Sequence, residues 1–203
     1  MMGNIMRVIL AIVAAMASPE RAAATEPAAL PGGSIYQLDS VWTDQDGRKV
    51  PLPSLRGRPR VIAMVYTSCE YSCPLVLRDL DRIDARIPSA RRPEVAISVF
   101  SFDPERDTPE ALKKLATKKK LDLSRWSLLT AEPDSVLELG AALGVRFRKE
   151  STGEFSHSNV ILLLDGEGMI RSRVDGLGAD PAPILEELAR LKPIPPPGSA
   201  GSP

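Results

Sequence analysis

The sequence predicts a single α/β domain in which a mixed central β-sheet is sandwiched between helices. Short apolar runs of strand length alternate with amphipathic helical stripes, and a final hairpin and helix close the chain. The 203 residues are 43% hydrophobic, enough to bury one core of ordinary size. The 26 basic and 26 acidic residues balance, and the longest basic run is only Lys118-Lys119-Lys120. This charge pattern argues against a nucleic-acid partner.

The first half of the predicted domain begins with a β-hairpin. Ile35–Trp42 and Lys49–Leu52 flank the turn sequence Asp44-Gln45-Asp46-Gly47. Val61–Tyr66 is a continuous apolar run, typical of a strand buried on both faces. A helix then follows, with Pro74 in its first turn and apolar side chains at steps of four, three and four residues: Val76, Leu80, Ile83 and Ile87.

The second half continues the alternation of strands and helices. The predicted strands are Val95–Phe100, Trp126–Leu129, Val145–Lys149, the His157–Leu164 segment and, after a tight turn at residues 165–168, Met169–Val174. The predicted helices begin at Thr108-Pro109-Glu110, cover Asp134–Leu143 with an end near Gly144, and cover Ala182–Leu191.

Both ends of the chain fall outside the predicted domain, which covers residues 33–192. Residues 1–24 have the features of an export signal: Arg7, the apolar stretch Val8–Ala17, and the small residues Ala22-Ala23-Ala24. Spanning a bilayer takes about 20 apolar residues, and Val8–Ala17 has ten, so an uncleaved membrane anchor is the less favoured alternative. We therefore expect a periplasmic or otherwise exported protein that is soluble after signal removal. The Pro-, Gly- and Ser-rich segment at residues 193–203 is predicted to be a disordered tail.

The chain has two cysteines, Cys69 and Cys73, and they lie where a predicted strand meets the next helix. Chemistry in α/β sheets gathers at such junctions. Backbone amides and the positive end of the helix dipole favour a thiolate there. The four-residue offset brings the two sulfurs to one side, where they can close a disulfide or bind one ion.

Interpretations of the cysteine pair other than metal binding fit the sequence less well. A structural disulfide is the default in an exported protein, but so short a loop contributes only about 2 kcal/mol. The spacing is not that of thioredoxin-type motifs, and Thr67 stands one position too close to Cys69 for the usual peroxidase pattern. Two buried apolar thiols fit poorly with polar neighbours: Thr67, Ser68, Glu70, Tyr71 and Ser72.

The only histidine, His157, opens the second apolar run. In a thioredoxin-like layout, by fold analogy alone, the loop before this strand faces the cysteine turn. Two thiolates and one imidazole suit Cu(I) and also hold Cu(II), whereas zinc accepts the same ligands plus a water. Copper is favoured because it binds such ligand sets more tightly.

Five motifs together point to one family. They are Asp44-Gln45-Asp46-Gly47, Tyr66-Thr67-Ser68-Cys69, Cys73-Pro74, the segment from Ser101 to Glu110, and His157-Ser158. Over Ile35–Leu191 the chain resembles the Sco/SenC family, copper-binding proteins of thioredoxin fold that are linked to cytochrome c oxidase assembly. The resemblance implies a thioredoxin-like fold and one copper ion held by Cys69, Cys73 and His157.

The resemblance also implies a possible supporting residue, Asp103, since its segment matches the family's acidic loop near the site. From chemistry alone, Asp103-Pro104 and Asp107-Thr108 equally fit turn and helix-capping roles. The chain departs from many members at Glu70, where they have proline, and at Ser156, where they have aspartate.

The sequence therefore predicts an exported copper-binding assembly factor. It would deliver one copper ion, as Cu(I) or Cu(II), to the copper-site subunit of a terminal oxidase or to another cuproprotein. A thiol reductant would be a further partner, because a Cys69–Cys73 disulfide cannot hold Cu(I). The alternative is a thiol–disulfide oxidoreductase that acts on a client's copper-ligating cysteines, with His157 adjusting the thiol pKa.

Overall fold

The computed structural model describes residues 29–193. The predicted signal at residues 1–24 and all but the first residue of the predicted tail lie outside this range. The β-strands are β1 (Val41–Asp44), β2 (Lys49–Pro51), β3 (Arg60–Val65), β4 (Ala96–Ser101), β5 (Trp126–Thr130), β6 (Phe147–Lys149), β7 (Phe155–His157), β8 (Val160–Leu164) and β9 (Ile170–Asp175). The α-helices are α1 (Ser72–Arg86), α2 (Pro109–Lys119), α3 (Pro133–Leu143) and α4 (Ala182–Arg190).

Seven strands form one sheet in the order β2-β1-β5-β4-β3-β8-β9. The pairs β3–β4 and β4–β5 are parallel and the other pairs are antiparallel, so the sheet is mixed. The predicted N-terminal hairpin is present, with Val41 opposite Pro51. The α/β prediction with a mixed central sheet is confirmed, and β6 and β7 form a separate hairpin beside that sheet.

The centre of the sheet is buried on both faces. Every residue of β3, β4 and β8 is buried, as continuous apolar strands require. Helix α1 contributes Val76, Leu80 and Ile83 to the core, which confirms the apolar stripe predicted there. None of the helices formed by residues 29–193 is long and apolar enough to cross a membrane.

The chain before β1 differs from the strand expected over Ile35–Trp42. Ile35–Gln37 form a 3₁₀ helix that is capped by Ser34, whose hydroxyl oxygen accepts the Tyr36 N–H at 3.1 Å. Ile35 and Tyr36 are both buried. Consecutive residues of a strand point to opposite faces, so a helical turn is the conformation that directs both side chains into one core.

The segment His157–Leu164 is not the single strand that its apolar pattern predicted. Strand β7 ends at His157 and pairs with β6, whereas β8 begins at Val160 and pairs with β3. The Ser158 N–H still bonds to the hairpin, at 2.8 Å from the Arg146 carbonyl oxygen, and the Asn159 carbonyl already accepts the Gly176 N–H beyond β9. His157 therefore belongs to the hairpin and not to the central sheet.

Helix α3 and the hairpin approach each other at Gly140. A Cβ atom at this position would lie 2.7 Å from Phe147 Cε1 and 3.4 Å from the Val145 carbonyl oxygen. The helix then ends at Gly144, which has φ of 63° as a left-handed C-terminal residue commonly does. A residue without a side chain is thus required where the hairpin packs on the helix.

We expect Gly140→Ala to lower the free energy of unfolding by about 1 kcal/mol. Overpacking lowers the free energy of unfolding by roughly 1–3 kcal/mol, whereas the better helix propensity of alanine raises it by less than about 1 kcal/mol. Chemical denaturation measures the change. Gly32→Ala is the matched control, because a Cβ there meets no atom within 4 Å. A Gly140→Ala protein as stable as wild type would contradict the close packing of the hairpin.

Candidate metal centre

The cysteine turn connects the carboxyl end of β3 with the first turn of α1. Cys69 lies in the connecting loop, and Cys73 is the second residue of the helix. Pro74 follows in the first turn, where proline gives up only an N–H group that has no partner within the helix. The predicted strand–helix junction is confirmed, with α1 beginning two residues earlier than Pro74.

Both sulfurs accept hydrogen bonds from the backbone. The Cys73 N–H donates to Cys69 Sγ at 3.3 Å, and the Tyr66 N–H donates to Cys73 Sγ at 3.4 Å. Both thiols are free, and Cys69 is 9% exposed whereas Cys73 is 2% exposed. The turn therefore presents two preorganised sulfurs, of which Cys69 is the more accessible.

The hairpin brings His157 to the two sulfurs. Its Nε2 atom lies 3.9 Å from Cys73 Sγ, and the three possible ligand atoms all lie within 4.8 Å of one another. His157 Nδ1 is 3.4 Å from the Ser158 carbonyl oxygen, which can only accept a hydrogen bond. In the tautomer that donates Nδ1–H to this carbonyl, the Nε2 lone pair faces the cysteines, as in most metal-ligating histidines.

Ser72 lies between the donors, a position that the sequence did not reveal. Its Oγ atom is 2.9 Å from His157 Nε2 and 3.4 Å from Cys69 Sγ. Sequence patterns describe Ser72 only as one polar residue in the turn. Its role depends on the hairpin docking opposite, which the local sequence does not encode.

Aromatic rings form a wall behind the imidazole. The His157 ring centroid is 5.0 Å from that of Phe102 and 6.0 Å from that of Tyr66, and Phe147 and Phe155 pack against Phe102 at 5.2 Å each. Three of the four phenylalanines of the chain therefore lie in this one cluster. Such a wall restricts the imidazole and excludes water from one side of the site.

Asp103 acts on the site through Arg106. The Asp103 carboxylate is 1% exposed and pairs with the Arg106 guanidinium. Arg106 Nη2 in turn donates to the Gly153 carbonyl oxygen in the β6–β7 turn at 2.6 Å, and its Cζ lies 5.9 Å from the Tyr66 ring centroid. Asp103 is not part of the cluster formed by the two sulfurs and the imidazole, so any support that it gives is indirect.

Asp107 fixes the start of the cysteine turn through hydrogen bonds to Thr67. Its buried carboxylate accepts the Thr67 N–H at 3.0 Å, the Thr67 hydroxyl, and the Ser101 hydroxyl at 2.5 Å. Burial raises the pKa of this carboxyl despite these donors. Next to it, the Thr108 hydroxyl oxygen accepts the Ala111 N–H at 3.3 Å and caps α2, as the sequence predicts for a capping threonine.

The two thiols have very different acidities. Burial by itself raises the pKa of Cys69, but hydrogen bonds from the Ser72 hydroxyl and the Cys73 backbone and side chain outweigh it and bring that pKa down to about 6. Burial raises the pKa of Cys73 well above its usual range, and the neighbouring Cys69 raises it further. Near neutral pH, Cys69 is therefore the thiolate and Cys73 the thiol.

The mouth of the site carries an exposed aromatic side chain. Tyr71, between the two cysteines, is 83% exposed, and Glu70 beside it is also exposed. Tyr71 precedes the first residue of α1 and makes no side-chain capping hydrogen bond there. The segment between the two cysteines therefore presents one aromatic and one acidic side chain to solvent.

The donor set fits a soft metal ion. Bonds of about 2.0–2.3 Å to nitrogen and sulfur place two donors of one ion within roughly 4.6 Å of each other, so the observed spread of 4.8 Å needs only small movements. Thiolate sulfur and imidazole nitrogen are the donors preferred by Cu(I) and Zn²⁺ rather than by Mg²⁺ or Ca²⁺.

Comparison with known proteins identifies the family. The SCO1/SenC family model matches residues 32–192, which is nearly the whole described chain. The chain belongs to the SCO1/SenC family. The predicted resemblance is thereby confirmed.

Relatives with known sequences or structures agree with this membership. The SCO1 protein homolog of Bacillus subtilis (strain 168) is 28% identical over 150 residues, which cover 72% of this chain and 77% of the relative. The copper-bound structure of Bradyrhizobium japonicum ScoI is 27% identical with a TM-score of 0.63, over 74% of this chain and 96% of ScoI. BsSco, described as having a disulfide switch and as one of the Sco cytochrome c oxidase assembly proteins, is 25% identical with a TM-score of 0.65, over 74% and 89% of the two chains.

We expect the two cysteines of the reduced, metal-free protein to alkylate at very different rates. The thiolate is the reactive form, so the rate at Cys69 rises as pH increases through about 6 and levels off above pH 7. Cys73 reacts much more slowly throughout this range, because burial keeps it protonated.

Limiting iodoacetamide followed by cleavage after Glu70 separates the two cysteines for mass spectrometry. Guanidinium-unfolded protein is the control, since both thiols should then titrate near the usual pKa of about 8.5. Equal alkylation of the two cysteines in the folded protein would contradict the hydrogen-bond pattern described above.

Proposed function

We propose that this SCO1/SenC protein binds one copper ion through Cys69, Cys73 and His157. It then passes the ion to the copper-site subunit of a terminal oxidase or to another cuproprotein. The observation that carries the proposal is the convergence of two sulfurs and one imidazole nitrogen within 4.8 Å. The copper-bound structure of the related ScoI supports the choice of metal.

Copper is the metal that the donor set favours. Among divalent first-row ions, copper binds a given set of nitrogen and sulfur donors most tightly, and two thiolates also suit Cu(I). Zinc would accept the same residues with a water as fourth ligand. A site that accepts both oxidation states of copper allows the cargo to arrive in one state and to leave in the other.

The unequal exposure of the sulfurs favours release by stepwise ligand exchange. Cys69 is the more exposed thiol and has the lower pKa, so a client thiolate meets Cys69 first. Cys73 lies deeper, and the His157 ring packs against the aromatic wall, so these two donors retain the cargo until the client has supplied a donor. Exchange of one donor at a time avoids a free copper ion.

The cysteine pair also provides a redox gate. Formation of a Cys69–Cys73 disulfide removes two electrons and two protons from the thiols and leaves no thiolate to bind Cu(I). An exported protein meets oxidants that drive this reaction, so we propose a thiol reductant as a further partner. The disulfide switch described for the related BsSco supports this proposal.

The alternative function is thiol–disulfide exchange on a client's copper-ligating cysteines. The observation in its favour is the large difference between the pKa values of Cys69 and Cys73. A thiolate attacks a disulfide, and the second cysteine, once it has lost its proton, attacks the mixed disulfide and releases the client thiolate. In this alternative, His157 need not bind a metal.

We also propose that the protein is exported, on the pattern of Arg7, Val8–Ala17 and Ala22-Ala23-Ala24 in the sequence. Mass spectrometry of the periplasmic or secreted protein is expected to find an N-terminus near Thr25. Recovery of the full-length chain from the cytoplasmic fraction alone would contradict export.

The substitution His157→Ala separates the two functions. Loss of a direct ligand is expected to weaken copper binding by more than the 10- to 100-fold typical of changes next to a ligand. The thiol pair remains, so disulfide exchange should persist. Anaerobic Cu(I) titration against a competing chelator measures the affinity, and oxidase activity in cells that depend on the variant measures function.

Ser156→Ala is the matched control, because Ser156 is exposed on the same strand and pairs with Arg148 rather than with Phe147. It should retain wild-type affinity. Unchanged copper affinity in His157→Ala would remove the histidine from the site and favour the oxidoreductase. Binding of less than one copper per wild-type chain would contradict the proposed stoichiometry.

A further inference from the structure

The hydroxyl of Ser72 occupies the space between two of the three donors. Its oxygen lies 2.9 Å from His157 Nε2 and 3.4 Å from Cys69 Sγ, so both are within hydrogen-bonding reach. Ser72 belongs to the first turn of α1 and is held between the two cysteines by the chain itself. The half-buried side chain therefore cannot move far from the donors.

The Ser72 hydroxyl donates a hydrogen bond to a lone pair that a bound metal ion would need. With the proton on Nδ1, His157 Nε2 can only accept, and the Ser72 hydroxyl at 2.9 Å is a donor within reach. The same oxygen faces Cys69 Sγ, where the sulfur is either a donor as a thiol or an acceptor as a thiolate. The hydroxyl has one proton, so it donates either to Nε2, with the Cys69 thiol donating to the hydroxyl oxygen, or to the Cys69 thiolate. In either arrangement it engages the lone pair of a proposed metal ligand in the metal-free protein.

We propose that Ser72 is a positioning residue that competes with copper for these lone pairs. The inference rests on the proposed copper site and adds a residue to it. When copper binds, the ligand lone pair that accepted the Ser72 hydrogen bond is given up to the metal, and when copper leaves, the hydroxyl engages that lone pair again. Ser72 thus stabilises the metal-free protein selectively, which lowers the affinity for the cargo and eases its release to a client.

The competition predicts a gain of affinity on removal of the hydroxyl. One net hydrogen bond to a ligand lone pair is lost from the metal-free state only, so Ser72→Ala should lower the copper dissociation constant by about two- to tenfold. Ser72→Thr keeps the hydroxyl and should retain the wild-type value. Ser156→Ala removes an exposed serine hydroxyl elsewhere at the site and should also leave the value unchanged.

The histidine signal gives a second measurement that a purely structural role would not reproduce. The chain has one histidine, so its imidazole ¹⁵N resonances are assigned without ambiguity. In the metal-free protein, Ser72→Ala should shift the Nε2 resonance. In the Cu(I)-loaded protein, which is diamagnetic, the Nε2 resonance of the variant and of wild type should coincide.

The direction of the affinity change decides between competition and simple support of the ligands. A copper affinity of Ser72→Ala equal to or weaker than wild type, with unchanged circular dichroism, would overturn the inference while leaving the copper site in place. Failure of the wild-type protein itself to bind copper would overturn the proposed function. The two failures are therefore distinguishable in one set of chelator titrations.

Discussion

The docking of the β6–β7 hairpin against the β3–α1 junction is the interaction on which the site depends. Cys73 and His157 are 84 residues apart in the chain, and the hairpin has only three ladder pairs of its own. Its position is fixed by tertiary contacts: Arg106 to the Gly153 carbonyl, and the Tyr66 hydroxyl to Glu154 Oε2 at 2.6 Å. Without these contacts, the imidazole would have no fixed distance from the sulfurs.

The acidic loop between β4 and α2 holds both halves of the site. Asp103 fixes Arg106, which fastens the hairpin that carries His157. Asp107 accepts the N–H and hydroxyl of Thr67, two residues before Cys69, and so fastens the cysteine turn. Burial of two carboxylates is costly unless they are well paired. Here the two carboxylates are paired with a guanidinium and with hydroxyl groups. The loop thereby connects the cysteine turn with the β6–β7 hairpin, which are distant in sequence.

The sequence was sufficient where local pattern determines structure. Strand β3, the stripe of α1 and the Thr108 cap depend on neighbouring residues, and they appear as predicted. The scarcity of cysteine and histidine singled out the three donors, but their meeting could be predicted only from the thioredoxin-like layout and the Sco/SenC resemblance. The break between β7 and β8 could not be predicted, because Ser158 and Asn159 lie in an unbroken strand-like sequence. The two strands are divided there only because Ser158 bonds to Arg146 in the hairpin, whereas Asn159 bonds to Gly176 beyond β9. Ser72 and the aromatic wall depend on the same tertiary docking.

The two sulfurs differ although they share one turn, and the difference comes from depth in the fold. Cys69, the more exposed of the two, gains the Cys73 N–H and the Ser72 hydroxyl as partners, whereas the more deeply buried Cys73 accepts the Tyr66 N–H and lies 3.9 Å from His157 Nε2. The same turn thus holds Cys69 as the more accessible thiolate and Cys73 as a buried thiol. That order suits release of a metal one donor at a time, and it equally suits attack on a disulfide. The feature that only metal binding requires is the Nε2 lone pair of His157, aimed at the sulfurs by the Ser158 carbonyl behind it.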